Sequence, residues 1–270
     1  YQAYCKSWRH EIGPDSLRWY LITMNLPKSD GGLGRALSTI RQHYSGIIAW
    51  DKSLKHWRVE QLMDGITREH AFDAPNHTNA LTLDMAQQVL STIPTDTNRG
   101  IRDRALITTC WVTASRKKEL LGIDVDHIVS ADSGYTIRVL EKGSDTARDK
   151  YINRDFILDA HQNLEHWLSL VESWGPLWRP ISRSGNVINR RLSRSGFDSI
   201  FKGLLGPAGI DPKLYSPHSI RGGFVTHGAS NNMSLAKIQA VTGHKSVESL
   251  KHYWDRAELL KNHPMSGDNQ

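Results

Sequence analysis

The 270-residue chain is poor in cysteine and contains no long apolar run. Cys5 and Cys110 are its only cysteines, and Cys110 lies in the apolar segment ALITTCWV, where it is best explained as a small buried side chain. A disulfide framework is therefore not indicated, and a reducing compartment fits. No apolar stretch approaches the roughly 20 residues that span a bilayer, and the N-terminus lacks a signal-peptide pattern. We expect a soluble, cytoplasmic protein with no membrane partner.

Internal repeats, low-complexity tracts and coiled-coil heptads are also absent from the sequence. At this length the chain can form one large domain or two ordinary ones, each with its own core, and we expect two. The chain begins with Tyr1 rather than Met, which is compatible with a parent that extends further upstream.

Basic residues outnumber acidic residues. Lys and Arg number 34 against 28 Asp and Glu, which gives a net charge of +6 and a pI near 9.3. This balance suits a polyanionic partner and equally an ordinary basic enzyme. The distribution is more informative, because residues 179–202 hold six basic side chains, Arg179 among them, and one acidic side chain. That segment predicts a phosphate-facing strip. The candidate DNA contacts are Arg41, Lys117, Arg183, Arg190, Arg191, Arg194 and Lys202.

The first 70 residues have the pattern of helices separated by short breaks. Over residues 33–56, apolar side chains recur at three- and four-residue steps, which indicates a helix with one apolar stripe; they are Leu37, Ile40, Tyr44, Ile47 and Ile48. Residues 71–80 contain Pro75 and small polar side chains without an apolar period. We therefore expect one helical domain over residues 1–74 and a second domain over residues 75–270.

The second domain shows both helical and strand signals. Residues 81–94 predict a helix capped by Thr82 or Asp84, and residues 102–123 predict a buried helix broken near residues 113–115. Three short β signals at residues 126–130, 135–141 and 149–153 predict a small antiparallel sheet. Further helices are expected over residues 156–175 and 193–205, and three more from Ser219 onwards. The predicted fold class is mainly α with a small antiparallel β-sheet.

An ordered set of polar residues runs through this second domain. Its members are R-x-x-E-L at residues 116–120, Lys142 at a β-turn, H-x-x-R from His218 to Arg221, G-H at Gly243 and His244, and Tyr253 nine residues further on. In this order and spacing the set resembles the tyrosine recombinase (phage integrase) family. The resemblance covers most of the second domain. It implies an N-terminal helical, SAM-like core-binding domain and a mixed α/β catalytic domain.

The resemblance also implies a chemistry that suits these residue types. Tyr253 would attack a DNA phosphate and hold it covalently, so that a new strand can be joined without ATP. Attack builds negative charge on the phosphate oxygens, and the guanidiniums of Arg116 and Arg221 are suited to bind it. No metal or other cofactor is implied.

The remaining groups would move or hold protons. By the resemblance, His218 accepts the tyrosine proton, His244 donates a hydrogen bond to a non-bridging oxygen, and Lys142 protonates the departing 5′-hydroxyl. Lys150 follows the same predicted turn and is an alternative to Lys142 as the acid.

The resemblance implies a site-specific recombinase, bacterial or phage-encoded and associated with the nucleoid. It would act as a tetramer on double-stranded DNA carrying a specific site, through a 3′-phosphotyrosyl intermediate and a Holliday junction, and accessory DNA-bending proteins are expected as further partners. Residues 254–270 are the candidate segment for docking onto a neighbouring protomer. Two alternatives are a type IB topoisomerase and a non-catalytic DNA-binding protein of the same fold. A histidine metal site is disfavoured, because the spacings between His218, His227, His244 and His252 do not match zinc sites.

Overall fold

The computed structural model describes residues 1–72, 79–140 and 147–244. The chain divides into two compact units, Tyr1–Asn76 and His77–Gln270. Within the described ranges, no helix is both long enough and apolar enough to cross a membrane.

The first unit is helical. Its helices are α1 (Gln2–Trp8), α2 (Pro14–Asn25), α3 (Leu37–Trp50) and α4 (Trp57–Glu69), with short 3-10 turns at Lys28–Asp30, Lys52–Leu54 and His70–Phe72. The core lies between α2, α3 and α4, where Leu17, Leu21, Ile40 and Val59 are fully buried. Apolar stripes that face each other across three amphipathic helices explain this packing.

Helix α3 is shorter than the sequence pattern indicated. It ends at Trp50, where Asp51 adopts an extended conformation and its carboxylate accepts hydrogen bonds from the backbone N–H of Ser53 at 2.9 Å and from its hydroxyl at 2.6 Å. Such an Asp side chain offers the backbone a turn instead of a further helical bond. The segment up to His56 is therefore a separate turn and not a continuation of the helix.

The second unit surrounds one buried helix. Its helices are α5 (Leu83–Ser91), α6 (Asn98–Thr113), α7 (Lys117–Leu121), α8 (Ala160–Leu168), α9 (Arg194–Leu205), α10 (Pro217–Ser230) and α11 (Leu235–Thr242), with 3-10 turns at Val125–His127, Ile157–Asp159 and Pro212–Leu214. Nearly every residue of α6 is buried, and α8 and α10 pack against it. The oxygen of the Thr82 side chain accepts the N–H of Met85 at 3.4 Å and caps α5.

The sheet has three strands, β1 (Ile128–Ala131), β2 (Gly134–Leu140) and β3 (Ala147–Asn153), paired antiparallel in the order β1-β2-β3. Ile137 of β2 lies opposite Lys150 of β3, and both are buried. The mainly α fold class with a small antiparallel sheet is thus confirmed. The last of the three helices expected after Ser219 lies outside the described residues.

The helix predicted over residues 156–175 is confirmed only over Ala160–Leu168, and the phosphate-facing role of Arg179 is wrong. Leu158 and Asp159 have φ angles of 66° and 50°, so α8 starts only at Ala160, and it ends at Leu168.

The loop that follows α8 wraps around the Arg179 side chain. Its guanidinium donates to the carbonyls of Trp174 at 2.6 Å and Pro176 at 2.8 Å and pairs with Glu172, and the residue is 1% exposed. A buried arginine with these partners stabilises a loop and does not face DNA.

Candidate active site

Arg116 stands where α6 gives way to α7. Ala114 adopts a left-handed conformation with φ 45°, which ends α6 and turns the chain, and Arg116 occupies the cap position of α7. Glu119 binds this arginine twice: its carboxylate accepts the backbone N–H at 2.9 Å and the Nη1 group at 2.7 Å. These bonds fix both the main chain and the side chain of Arg116. Burial would raise the pKa of Glu119, but the two hydrogen bonds from Arg116, followed by the charges of Lys150 and Arg116, lower it below its ordinary value.

The second guanidinium, that of Arg221, comes from α10. Ser216 caps this helix and accepts the N–H of His218, and the three-residue spacing places His218 and Arg221 on the same side of the first turns. Arg221 is only 2% exposed, and its Nη1 group donates to the carbonyl of Ala114 at 2.6 Å. The turn that positions Arg116 therefore also holds Arg221.

His244 follows the C-terminal end of α11, where Gly243 has the left-handed φ of 66° that glycine favours. The Gly243 carbonyl accepts from Nη2 of Arg116 at 3.0 Å, and Nη2 of Arg221 lies 3.2 Å from either ring nitrogen of His244. A left-handed residue at this position thus turns the chain from α11 towards both guanidiniums.

The protonation of His244 can be deduced from its neighbours. Its Nδ1 lies 2.7 Å from the Thr242 hydroxyl, which itself donates to the Ile238 carbonyl at 2.8 Å. Because that hydroxyl hydrogen is already used, Nδ1 carries the imidazole hydrogen and Nε2 is the acceptor. Burial lowers the pKa of His244 to about 4, and the charges of Arg221 and Arg116 add to the lowering. The ring is neutral near pH 7.

His218 completes a group that we call the Arg–His cluster, made of Arg116, His218, Arg221 and His244. His218 is an exposed residue whose ring is partly desolvated, and this loss of hydration, followed by the charges of Arg221 and Arg116, lowers its pKa. A neutral His218 can accept a proton near pH 7. The cluster collects two fixed positive charges and two imidazoles from segments separated by up to 128 residues, Arg116 to His244.

A cleft of about 410 Å³ opens beside this cluster. It is lined by Ser115, Arg116, Lys117, Asp198, Lys202, Ser216, Pro217 and His218. Two of the predicted DNA contacts, Lys117 and Lys202, thus share the cleft with Arg116 and His218. The ammonium of Lys117 is paired with Asp198, at 2.8 and 2.9 Å from its two oxygens.

Of the six predicted catalytic residues, Lys142 and Tyr253 lie outside the described residues, and the other four form the Arg–His cluster. Lys150 is described and lies on β3. Its side chain is 4% exposed, and its ammonium donates to the Thr113 carbonyl at 2.6 Å and to the Val241 carbonyl at 3.3 Å. It is also 4.0 Å from Glu119.

The other candidate DNA contacts differ in the partners that their side chains already have. Arg183, Arg190 and Arg194 are exposed, and Arg41 is exposed in the first unit, where it bonds Thr67 at 3.3 Å. Arg191 binds the carbonyls of Leu121 at 2.7 Å and Ile123 at 3.3 Å and pairs with Asp124. Its guanidinium joins the segment before α9 to the end of α7, which gives it a structural task.

The sequence pattern predicted no role for two residues that position the Arg–His cluster. Glu119 belongs to the R-x-x-E-L motif, and its three-residue distance from Arg116 is the signal that could have revealed the pair. Thr242 orients His244 from two positions before it. A Thr at the end of a helix carries no comparable signal, because the ring that it touches is placed by the turn at Gly243.

The model of the phage integrase family matches residues 79–259. Curated relatives include an integrase/recombinase XerD homolog of Selenomonas ruminantium, 29% identical over 62% of this chain and 51% of that protein. Another is the tyrosine recombinase XerD of Xanthomonas axonopodis pv. citri, 27% identical over 88% of this chain and 75% of that protein. The chain thus spans about half the length of the first relative and three quarters of the second.

Solved structures with a similar fold are also recombinases. The XerH site-specific recombinase bound to a palindromic difH substrate, in a post-cleavage complex, superposes with a TM-score of 0.63 at 17% identity over 93% of this chain and 69% of that chain. The Tn1549 transposon integrase in complex with circular intermediate DNA gives a TM-score of 0.60 at 16% identity over 92% of this chain and 85% of that chain. At such identities the likeness establishes the fold.

Proposed function

The chain belongs to the phage integrase family of tyrosine recombinases, and from this premise we propose that it cuts and rejoins double-stranded DNA at a specific site through a covalent 3′-phosphotyrosyl intermediate. The observation that carries the proposal is the Arg–His cluster. Three segments distant in sequence bring two guanidiniums and two imidazoles together beside a cleft that Arg116 and His218 line, and Glu119 is the carboxylate partner of Arg116. Such a group is complementary to a phosphate that gains negative charge as it is attacked.

In the proposed reaction, the Tyr253 oxygen attacks phosphorus, a new P–O bond to tyrosine forms, and the bond from phosphorus to the 5′ oxygen breaks. The tyrosine proton passes to His218, which is neutral near pH 7 because its pKa is lowered. The departing 5′ oxygen receives a proton from a lysine. Rejoining reverses these steps with a 5′-hydroxyl of the partner strand, so the bond energy is kept and neither ATP nor a metal is called for.

Arg116 and Arg221 would bind the non-bridging oxygens. Arg221 suits this task because its Nη1 group is anchored on the Ala114 carbonyl, so the guanidinium plane is already oriented when the phosphate arrives. His244 would add a third donor. In the DNA-free chain its Nε2 accepts from Arg221, so a bound anion would favour the protonated ring.

We assign the acid role to Lys142, which follows β2 in the sequence, and not to Lys150. A general acid must reach the leaving oxygen. The Lys150 ammonium is buried and already meets two carbonyls and a carboxylate, and to act as acid it would have to abandon all three. The assignment of Lys142 rests on its place in the family motif.

The wider assembly is part of the same proposal. Residues 1–74 would form the core-binding domain and residues 75–270 the catalytic domain. Four protomers would act on two DNA sites through a Holliday junction, with residues 254–270 docking onto a neighbouring protomer and DNA-bending proteins assisting. Proteins of similar fold were solved on DNA, among them a lambda integrase dimer bound to a COC′ core site, and this supports the proposal of DNA as the partner.

The proposal is tested with Tyr253→Phe. Genomic DNA that flanks the gene is first used to map the cleaved position, and a nicked suicide duplex carrying this position is incubated with each chain. The wild-type chain should give a protein–DNA band that survives denaturation, whereas Tyr253→Phe should bind the duplex with similar affinity and give no such band. A covalent band from Tyr253→Phe would refute the nucleophile, and relaxation of supercoiled DNA of any sequence would favour a topoisomerase.

A further inference from the structure

Lys150 is a charged side chain in the interior of the second unit. It is 5% exposed, lies opposite Ile137 in the sheet, and shares the inward face of β3 with Ile152. Burial lowers its pKa to about 8, the carboxylate of Glu119 opposes this shift, and the charge of Arg221 adds to it. The ammonium is therefore still largely protonated at pH 7. A buried charge is generally no more stabilising than an apolar side chain of the same size.

The partners of this ammonium are informative. Thr113 is the last residue of α6, and its carbonyl, 2.6 Å from Nζ, precedes the turn at Ala114 that binds Arg221 and leads to Arg116. The Val241 carbonyl, 3.3 Å away, lies in the last turn of α11, three residues before His244. Carbonyls at helix C-termini lack partners within the helix, and a cation there satisfies both their hydrogen bonding and the helix dipole.

The third partner is Glu119, whose Oε2 is 4.0 Å from the ammonium and accepts the backbone N–H of Arg116. The ammonium thus donates to two carbonyls and lies beside one carboxylate, and these three groups position Arg116, Arg221 and His244. The end of α6 and the end of α11 are 128 positions apart in the sequence, from Thr113 to Val241, and the Lys150 ammonium connects them.

We propose that Lys150 is a positioning residue for DNA cleavage: its ammonium ties the end of α6 to the end of α11 and so fixes the spacing of Arg116, Arg221 and His244. It acts through those side chains and touches neither the phosphate nor the leaving oxygen. This role rests on the proposed function. It accounts for a charge in the core that the family motif does not include among the catalytic groups.

The test compares Lys150→Met, Lys150→Arg and Lys142→Ala in single-turnover cleavage of two suicide duplexes. One carries the natural 5′ oxygen at the scissile phosphate and the other a 5′-bridging sulfur. A thiolate leaves without a proton, so loss of a general acid is rescued by sulfur, whereas loss of positioning is not. Lys150→Met should cleave both duplexes about 100-fold more slowly than the wild-type chain, because a displacement of about 1 Å has an effect of that size. Lys150→Arg, which restores the charge and the donors, should recover most of the rate.

The matched control is Ile152→Ala. Ile152 is fully buried two residues along the same face of β3, so its truncation weakens the same region without touching the ammonium. At comparable melting temperatures, Ile152→Ala should cleave within a few-fold of the wild-type rate. If Lys150→Met does not fold, Lys150→Gln takes its place, since it keeps amide donors without the charge.

Three results would overturn the inference: a wild-type rate for Lys150→Met or Lys150→Gln, a defect equal to that of Ile152→Ala, or full rescue by the sulfur duplex, which would make Lys150 the acid. A wild-type chain that gives no covalent band on the mapped site would instead refute the proposed function. Adduct formation by the wild-type chain with an unchanged rate for the Lys150 variants refutes only the positioning role.

Discussion

The pKa of His244 reports on the burial and the positive charge of the Arg–His cluster. Its pKa is lowered to about 4 from the ordinary value of 6.5, first because the ring is desolvated and then because Arg221, Arg116 and His218 oppose a further positive charge. In the unfolded chain none of these influences remains. The unfolded state therefore binds more protons than the folded state between pH 4 and 6.5, and stability falls as the pH falls through this range.

The expected magnitude follows from these two values. At pH 7 the ring is neutral in both states and contributes nothing to the pH dependence. At pH 5 the unfolded state is almost fully protonated at this position and the folded state hardly at all, which costs about 2 kcal/mol of the free energy of unfolding. His244→Asn removes this contribution, so the variant should lose about 2 kcal/mol less stability than the wild-type chain between pH 7 and pH 5.

Two assays check this prediction. Urea unfolding at pH 5 and pH 7 gives the difference in stability for the wild-type chain, for His244→Asn and for His166→Asn, which removes an exposed imidazole of α8 as the matched control. NMR titration of the histidine rings gives the pKa directly, once the signal missing from His244→Asn identifies the residue. A cognate duplex should raise this pKa by at least one unit, since a phosphate replaces Arg221 as the partner of Nε2. A His244 that titrates near 6.5 in the DNA-free chain would refute the reasoning.

Two further predictions concern the arginines. Arg221→Lys keeps the charge but loses the planar fork that binds the Ala114 carbonyl and, in the proposed reaction, the phosphate. Cleavage of the suicide duplex should therefore fall by at least about 100-fold, while the DNA affinity in a gel-shift titration should change by only a few-fold. Arg190→Ala and Arg191→Ala should separate a phosphate contact from a structural one. Arg190→Ala should reduce the slope of log affinity against log salt by about one with an unchanged melting temperature, and Arg191→Ala should lower the melting temperature because carbonyls of the α7 segment lose their donor. Equal melting temperatures for these two variants would contradict the structural assignment of Arg191.

The sequence predicts those parts of the fold that depend on neighbouring residues alone. The break near residues 113–115, the three strands and the mainly α fold class follow from apolar periodicity and turn residues, and the structure has them. The helix expected over residues 156–175 is shorter than predicted, because Leu158 and Asp159 leave the helical conformation and the loop after α8 wraps around the Arg179 side chain. That arrangement comes from tertiary contacts, which periodicity does not encode.

Counting basic residues predicted the DNA contacts less well, again because tertiary contacts decide which side chains are available. Arg179, Arg190 and Arg191 look alike in the sequence, yet the first is buried among carbonyls, the second is exposed, and the third binds the end of α7. Lys150 gives a similar example near the Arg–His cluster, because its carbonyl partners, Thr113 and Val241, lie 37 and 91 residues away in the sequence. A composition argument counts such cations as available for DNA, whereas their carbonyl partners decide whether they are.

Carbonyl partners also explain how the Arg–His cluster can exist without a bound anion. Arg116, Arg221 and Lys150 carry three neighbouring positive charges, and Glu119 lies beside Arg116 and Lys150. Repulsion alone would drive these cations apart. Each is held on a backbone carbonyl near the end of α6 or α11, at Gly243, Ala114 and Thr113 respectively. Backbone dipoles thus keep these cations in place without neutralising them, whereas further carboxylates would compete with the phosphate. A site assembled in this way keeps its net positive charge for the anion. Its geometry depends on the ends of α6 and α11 keeping their relative positions.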